Sequence, residues 1–217
     1  MTSEYFEQAY GADYFRRNPR YKWRAFLREL LRFRGGGTLL EAGCGYGLFL
    51  REAAARFDCL GCDASEHAVR QARALLPPRV PLLVAGLDTL ALRRRFDVVA
   101  AFDVVEHIGA LASAFDRVHR LLEPGGLFVF TVPVYDGPLG WLVDRLDRDP
   151  THVHRRSRDF WLQQLAPRFR LLNYTGVWRY FLPGGVYLNL VSRLSRRITT
   201  AVLVVAEKAS AQEEEAA

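Results

Sequence analysis

The chain is poor in cysteine, lysine and methionine, and it has no long apolar run. Its three cysteines, Cys44, Cys59 and Cys62, are too few and too close together for a disulfide framework. Cys59 and Cys62 form a C-x-x-C pair, but they fall in an expected strand. Residues three apart on a strand face opposite sides and cannot grip one metal, so buried packing is their expected role. No run approaches the roughly 20 apolar residues that cross a bilayer. Met1 to Glu7 lacks the basic and apolar regions of a secretory signal, so the cytoplasm is the expected compartment. Lysine is confined to Lys22 and Lys208, so the net charge of +6 is carried by arginine. That charge admits acidic partners, nucleic acid or a membrane surface without choosing among them. There are no internal repeats and no dividing linker. With 217 residues at 50% hydrophobic content, the chain fits one domain with a substantial core.

What is present is concentrated in residues 37–47, Gly-Thr-Leu-Leu-Glu-Ala-Gly-Cys-Gly-Tyr-Gly. Leu39 and Leu40 read as a buried strand and Glu41 as an acid near its end. Gly43, Gly45 and Gly47 then alternate before the helical pattern of Leu48, Phe49, Leu50 and Ala53. Glycines at such a turn let the backbone bend sharply and let a ligand approach where a Cβ would clash. A dinucleotide-binding loop reads G-x-G-x-x-G, whereas here the third glycine comes one residue early. The acid before the glycines would repel a pyrophosphate. It suits a ligand with a cationic end, such as an amino-acid ammonium.

Residues 3–34 carry two helix-like stretches. Tyr5, Phe6, Tyr10, Tyr14 and Phe15 form an aromatic face, and Trp23, Phe26, Leu27, Leu30 and Leu31 recur at helical spacing. They are expected to cover the sheet, with Tyr14 part of a lid over the ligand. After the glycine turn the pattern predicts a helix over 47–57, a strand over 59–63 and a helix from Ser65 to Leu76. Strands over 80–85 and 95–103, a helix over 110–122 and a strand over 127–132 follow. This alternation predicts right-handed crossovers and a parallel sheet with its ligand site at the carboxyl ends of the strands. Asp63, ending the second strand, is placed to accept the hydroxyls of a ribose.

Beyond residue 132 the pattern changes. Residues 133–165 read as a loop and a short amphipathic piece, with Ser157 as an N-cap. Residues 169–178 and 199–205 read as closing strands. Between them, residues 186–197 read as a basic amphipathic helix that packs on the body of the domain or touches a membrane surface. Residues 1–209 thus form one expected domain, with 1–34 as covering helices and 133–165 and 178–197 as substrate lid segments. Residues 210–217 read as a disordered tail.

Taken together, these motifs resemble those of class I S-adenosylmethionine (SAM)-dependent methyltransferases over most of the chain. Leu39 to Gly47 resembles the family's first motif, and Asp63 its ribose-binding acid. Phe96 to Ile108, with Glu106-His107, is similar to its fourth strand and following turn, and Leu121 to Phe130 to its fifth-strand signature. Thr151 to Leu165 resembles a His-containing helix start of the small-molecule branch that includes ubiquinone-biosynthesis enzymes. The resemblance implies an α/β, Rossmann-like sheet of seven strands, mostly parallel with one antiparallel strand, and helices on both faces. It implies SAM as cofactor and S-adenosylhomocysteine (SAH) as product. Glu41 and the backbone of Gly43, Cys44, Gly45 and Gly47 would hold the methionine end, and Asp63 and Ala64 the ribose side. Leu87 and Asp88 would meet the adenine, and the turn at Phe102 and Asp103 would face the methyl group. Ala85-Gly-Leu-Asp-Thr89 departs from the family pattern, because Leu87 or Asp88 stands where many relatives carry the adenine-binding acid.

Methyl transfer from a sulfonium is an in-line displacement whose leaving group is already activated. Holding nucleophile and methyl in near-attack geometry is the protein's main task, worth up to about 7–11 kcal/mol. A hydroxyl nucleophile also needs a base, for which His107, His152 and His154 are candidates; loop anchoring is the other reading of each. The H-x-H pair has no matching carboxylate cluster in the sequence, so no metal site is expected. Trp141, Trp161, Trp178, Tyr180 and Phe181 either line a pocket for an apolar or aromatic substrate or fasten the lid to the sheet. The expected function is transfer to a small-molecule acceptor at oxygen. RNA or protein methylation and a non-catalytic SAM-binding domain are the alternatives. Against nucleic acid stand the dispersed basic residues and the Phe-Asp-Val-Val that replaces the proline-rich tetrapeptide of amino-methylating nucleic-acid enzymes.

Overall fold

Apolar runs separated by amphipathic stretches give a sheet covered on both sides. The structure, a computed structural model, describes residues 14–147, 149–166, 168–182 and 186–209. Strands β1 (Gly37–Ala42), β2 (Phe57–Asp63), β3 (Leu82–Val84), β4 (Phe96–Phe102) and β5 (Leu122–Pro133) run parallel in the order β3-β2-β1-β4-β5. The chain moves outward from β1 to β3, then returns to the other side of β1. That reversal opens a crevice at the carboxyl ends of β1 and β4, where open α/β sheets bind ligands.

Helices α1 (Tyr14–Arg17), α2 (Arg20–Leu31), α3 (Leu48–Ala53) and α4 (Glu66–Leu75) cover one face. Helices α5 (Leu111–Leu121) and α7 (Arg158–Gln163) cover the other, and α6 (Gly140–Leu146) precedes α7. Along β4, Val98 and Ala100 join the first apolar cluster while Val99 and Ala101 join the second. A strand buried on both faces has no place for polar alternation. Cys59 and Cys62 likewise fall in opposite clusters, and burial pushes both thiols up to about 12. Ser65 caps α4 by accepting from the Ala68 amide at 3.2 Å, and Ser157 caps α7 by accepting from Phe160 at 3.2 Å.

Three expectations need correction. The sheet has eight strands, not seven: β8 (Ala201–Lys208) runs antiparallel between β5 and β6 (Phe169–Leu182), and β7 (Val186–Ser192) pairs antiparallel with β6 at the edge. The extra strand is the segment read as an amphipathic helix. Tyr187, Leu190, Val191 and Leu194 recur at helical spacing, but β6 runs on to Leu182 and offers a free edge that pairs seven residues from Val186 to Ser192. Backbone pairing on that edge overrides the local period. The strand is also fastened to α2, since Tyr21 Oη donates to the Tyr187 carbonyl at 3.0 Å and accepts from the Asn189 amide at 3.2 Å. The helix expected over 47–57 is shorter, because Phe57 and Asp58 belong to β2. No helix among the described residues is long and apolar enough to cross a membrane. Tyr5, Phe6, Tyr10 and the tail from residue 210 lie outside the described residues.

Candidate functional site

The glycine turn closes the crevice from the β1 side. The amides of Gly43 and Cys44 donate to the Cys62 carbonyl at 2.8 and 2.9 Å, which pins the turn to the end of β2. Gly43, Gly45 and Gly47 all have positive φ, a region that L side chains enter at a cost of about 1–2 kcal/mol. At Gly45 the space is taken as well, since a Cβ would stand 2.4 Å from Tyr14 Oη. Tyr14 is buried there, its ring centroid 4.1 Å from that of Tyr46 and its Oη accepting from the Tyr46 amide at 3.2 Å. Tyr14 is thus packed against the glycine turn itself. Gly45→Ala is expected to cost about 1–2 kcal/mol of backbone strain, with the clash against Tyr14 Oη added to it. Thermal unfolding should register this as a midpoint lowered by roughly 2–8 °C. Part of the loss should return in a Tyr14→Phe background, where the clashing oxygen is gone.

Two acids lie under this turn. Asp63 is 6% exposed and accepts from the Gly45 and Ser65 amides, each at 2.8 Å. Burial holds its pKa above the usual range despite those two donors. A carboxylate offers about four acceptor positions, so it can serve the loop and still accept from a ribose. Glu41 is 2% exposed, and its Oε2 is buried without a hydrogen-bond partner. Burial, reinforced by Asp63, pushes its pKa well up. An orphaned buried acceptor beside a glycine turn is what an ammonium group would satisfy. These residues fit the methionine and ribose ends of SAM.

Farther along, Ala64 and Asp88 are exposed. Leu87 turns its side chain into the second apolar cluster with Leu40 and Cys62. Phe102 packs among Trp23, Phe26 and Phe49, with ring centroids 4.6–5.9 Å away, and is a core residue through its ring.

Asp103 follows with φ 58, the one non-glycine residue among those described with positive φ. It is a hub joining four elements. Thr131 Oγ1 of β5 donates to it at 2.7 Å, Arg179 of β6 at 2.5 Å, and Lys22 Nζ of α2 stands 3.5 Å away. Burial works against its charge, but Arg179 and Lys22 outweigh that and hold its pKa well below the carboxylate range. Lys22 is 4% exposed, and burial, partly offset by Asp103, brings its pKa down to about 8. Sequence reasoning passed over Lys22 and Arg179. Lys22 carried one signal, a lysine in a chain that otherwise uses arginine almost throughout.

The three candidate histidines separate. A 3-10 turn, Val105–His107, follows Asp103, and the Glu106 carbonyl accepts from the Val153 and His154 amides at 3.1 and 3.2 Å. This stitch ties residues 153 and 154 to the turn, and the two histidines of the segment meet different partners. His152 meets His107, with ring centroids 4.7 Å apart. His154 Nε2 lies 2.9 Å from the Ile108 carbonyl and its ring packs near Trp161, so it anchors the loop. Burial, then the neighbouring His152, holds the His107 pKa down. The glycine turn and this cluster adjoin, since a Cβ on Gly43 would meet Val104 Cγ2 at 2.3 Å. Of the inserted aromatics, Trp141, Trp161 and Trp178 have described side chains, and these three have different surroundings. Trp161 is fully buried, Trp141 is 65% exposed, and Trp178 donates to Ser195 Oγ at 2.7 Å; the side chains of Tyr180 and Phe181 lie outside the described ones.

Comparisons with known proteins bear on the family and the fold. A family model described as a methyltransferase domain matches residues 14–188. An uncharacterized chloroplastic methyltransferase of Arabidopsis thaliana is 28% identical over 174 residues, covering 71% of this chain and 47% of the relative. A ubiquinone biosynthesis O-methyltransferase of Cereibacter sphaeroides is 38% identical over 101 residues, covering 43% of this chain and 40% of that protein. The chain thus spans less than half the length of these two curated relatives. Among solved structures, the N-methyltransferase NodS from Bradyrhizobium japonicum in complex with SAH superposes with a TM-score of 0.65 at 15% identity. That match covers 88% of this chain and 87% of the other, and it supports the fold. The match over 175 of 217 residues (14 to 188), on a sheet with this glycine turn and these two acids, shows that the chain belongs to the SAM-dependent methyltransferase family.

Proposed function

We propose that the chain transfers the methyl group of SAM to a small-molecule acceptor, at oxygen. When bound, SAM supplies a methyl group on a sulfonium that departs as a thioether. Glu41 would hold the ammonium and Asp63 the ribose, while Tyr14 packs over the glycine turn and keeps water from it. Asp103, fixed by Thr131, Arg179 and Lys22, would face the methyl group.

The observation that carries the oxygen reading is the pair His107 and His152. Each ring is oriented through its Nδ1, by Thr151 and by Asp147 respectively. Two Nε2 lone pairs are then left beside the turn after β4, able to take a hydroxyl proton or to hold a cation. An amine acceptor would need neither. The name of the Cereibacter relative, an O-methyltransferase, supports the same reading. The test is transfer of a labelled methyl group from SAM over a panel of phenols, quinols, sugars and amines. Labelled phenol or quinol ethers are the expected products; label found on amines alone would sink the oxygen reading.

A further inference from the structure

Among the described residues, Glu106, His107 and His152 place one potential metal-donor atom each within 4.8 Å of one another. The sequence concealed this group, because its carboxylate precedes one histidine and lies 46 residues before the other. The local hydrogen bonds fix what each residue can offer.

Thr151 Oγ1 gives its proton to Asp149 Oδ1 at 2.6 Å, so its 2.8 Å contact with His107 Nδ1 is a donation from the ring. The Thr151 carbonyl, 3.1 Å away, accepts from the same Nδ1–H. His152 Nδ1 donates to Asp147 Oδ2 at 2.7 Å, and Tyr135 Oη donates to that same oxygen. Both imidazoles therefore carry a proton on Nδ1 and turn Nε2 away from those partners, with Asp149 Oδ2 3.9 Å from the Nε2 of His152. A ring held at Nδ1 by a carboxylate or carbonyl is the usual support of a metal-binding histidine, fixing its tautomer and orientation.

Glu106 supplies the independent observation. Its side chain is fully buried, and neither carboxylate oxygen accepts a hydrogen bond from another residue. A buried carboxylate without donors is costly, and two nitrogen lone pairs beside it add acceptors without adding a donor. A cation would satisfy all three at once.

The geometry points to a divalent transition-metal site formed by Glu106 Oε and the Nε2 atoms of His107 and His152. Two imidazoles with one carboxylate suit zinc, cobalt, manganese or iron(II) better than magnesium or calcium, which favour all-oxygen sets. Three protein ligands leave positions open for water or for an oxygen of the acceptor. In the loaded protein the two imidazoles act as ligands. Metal binding itself is independent of which acceptor the enzyme uses.

The test is a titration of chelator-treated, tag-free protein with Co²⁺, following visible d–d absorption, with SAH binding measured on the same samples. The expected result is one equivalent of Co²⁺ per chain and a thermal midpoint that rises with added metal. Glu106→Gln and His152→Ala should each lose both responses. Asp147→Asn, which removes only the support of His152, should weaken binding by about 10–100-fold. His67→Ala, removing a histidine outside the cluster, should bind as the wild type does. Should Glu106→Gln fail to fold, the wild-type stoichiometry and Asp147→Asn decide the matter. Absence of stoichiometric uptake by the wild type, or unchanged binding in Asp147→Asn and His152→Ala, overturns the site and leaves a proton shared within the cluster instead. Cobalt uptake without SAH binding would sink the methyltransferase reading and not the metal site; SAH binding without cobalt uptake does the reverse.

Discussion

Asp63→Ala is expected to lower SAH affinity by at least about 100-fold, since hydrogen bonds to a charged group are worth about 1.5–3 kcal/mol each and a ribose offers two hydroxyls. The carboxylate has a second task, because it accepts from the Gly45 and Ser65 amides. Alanine would strand both buried donors, at roughly 1–3 kcal/mol apiece, and would loosen the turn that faces Tyr14. Affinity and stability should therefore fall together. Asp63→Asn separates the two, because its amide oxygen can keep one of the loop bonds. It should fold more stably than the alanine variant and still bind weakly. Equilibrium dialysis with labelled SAH, beside a thermal melt, reads both quantities. Wild-type affinity in Asp63→Ala would remove Asp63 from the cofactor site.

Asp103→Asn carries the second large effect, a loss of about 3 kcal/mol at neutral pH, which is the scale for removing one partner of a buried ion pair. The figure sits at the lower end of that range because Asp103 and Arg179 are about a quarter exposed (25% and 26%). Asparagine tolerates the left-handed backbone at this position, so the change isolates the charge. Without the carboxylate, Lys22 and Arg179 face each other with no counter-charge between them. Lys22 gives the same hub a signature in pH. Burial lowers its pKa from 10.5 to about 8 in the folded chain. Between those values the unfolded chain binds more protons, so this group's contribution to stability rises with pH from about 8 to about 10.5. Below pH 8 the buried ammonium costs the fold on the order of 3 kcal/mol, at 1.36 kcal/mol per pH unit. Cysteines and tyrosines titrate in the same range, so the quantity to measure is the difference between wild type and Lys22→Met in urea unfolding. The wild type should gain stability relative to the variant from pH 8 to 10.5; a pH-independent difference would mean that Lys22 is not held as the structure shows it.

What could be read in the sequence was local. The glycine turn, Glu41 and Asp63 are specified within one strand-turn-helix unit and one following strand, so spacing alone fixes their placement. The alternation over residues 38–132 likewise fixes the parallel half of the sheet. Residues whose environment is made by distant elements were not legible. Lys22 reaches Asp103 across 81 residues and Arg179 across 76, and neither separation leaves a pattern. The segment 186–192 becomes a strand because β6 offers it an edge, a fact absent from its own periodicity. His152 and His154 were indistinguishable as H-x-H. The Glu106 carbonyl, accepting from two successive amides of that loop, decides which of them meets His107. In the sequence Glu106 reads as part of a turn motif, and its burial is made by elements distant from it.

The most direct measurement is a calorimetric titration of the wild-type chain with SAH. Saturable binding at one site per chain is expected, held by the Gly43–Gly47 turn with Glu41 and Asp63. A chain that is folded and takes up no SAH would contradict it, whatever the histidine cluster turns out to bind.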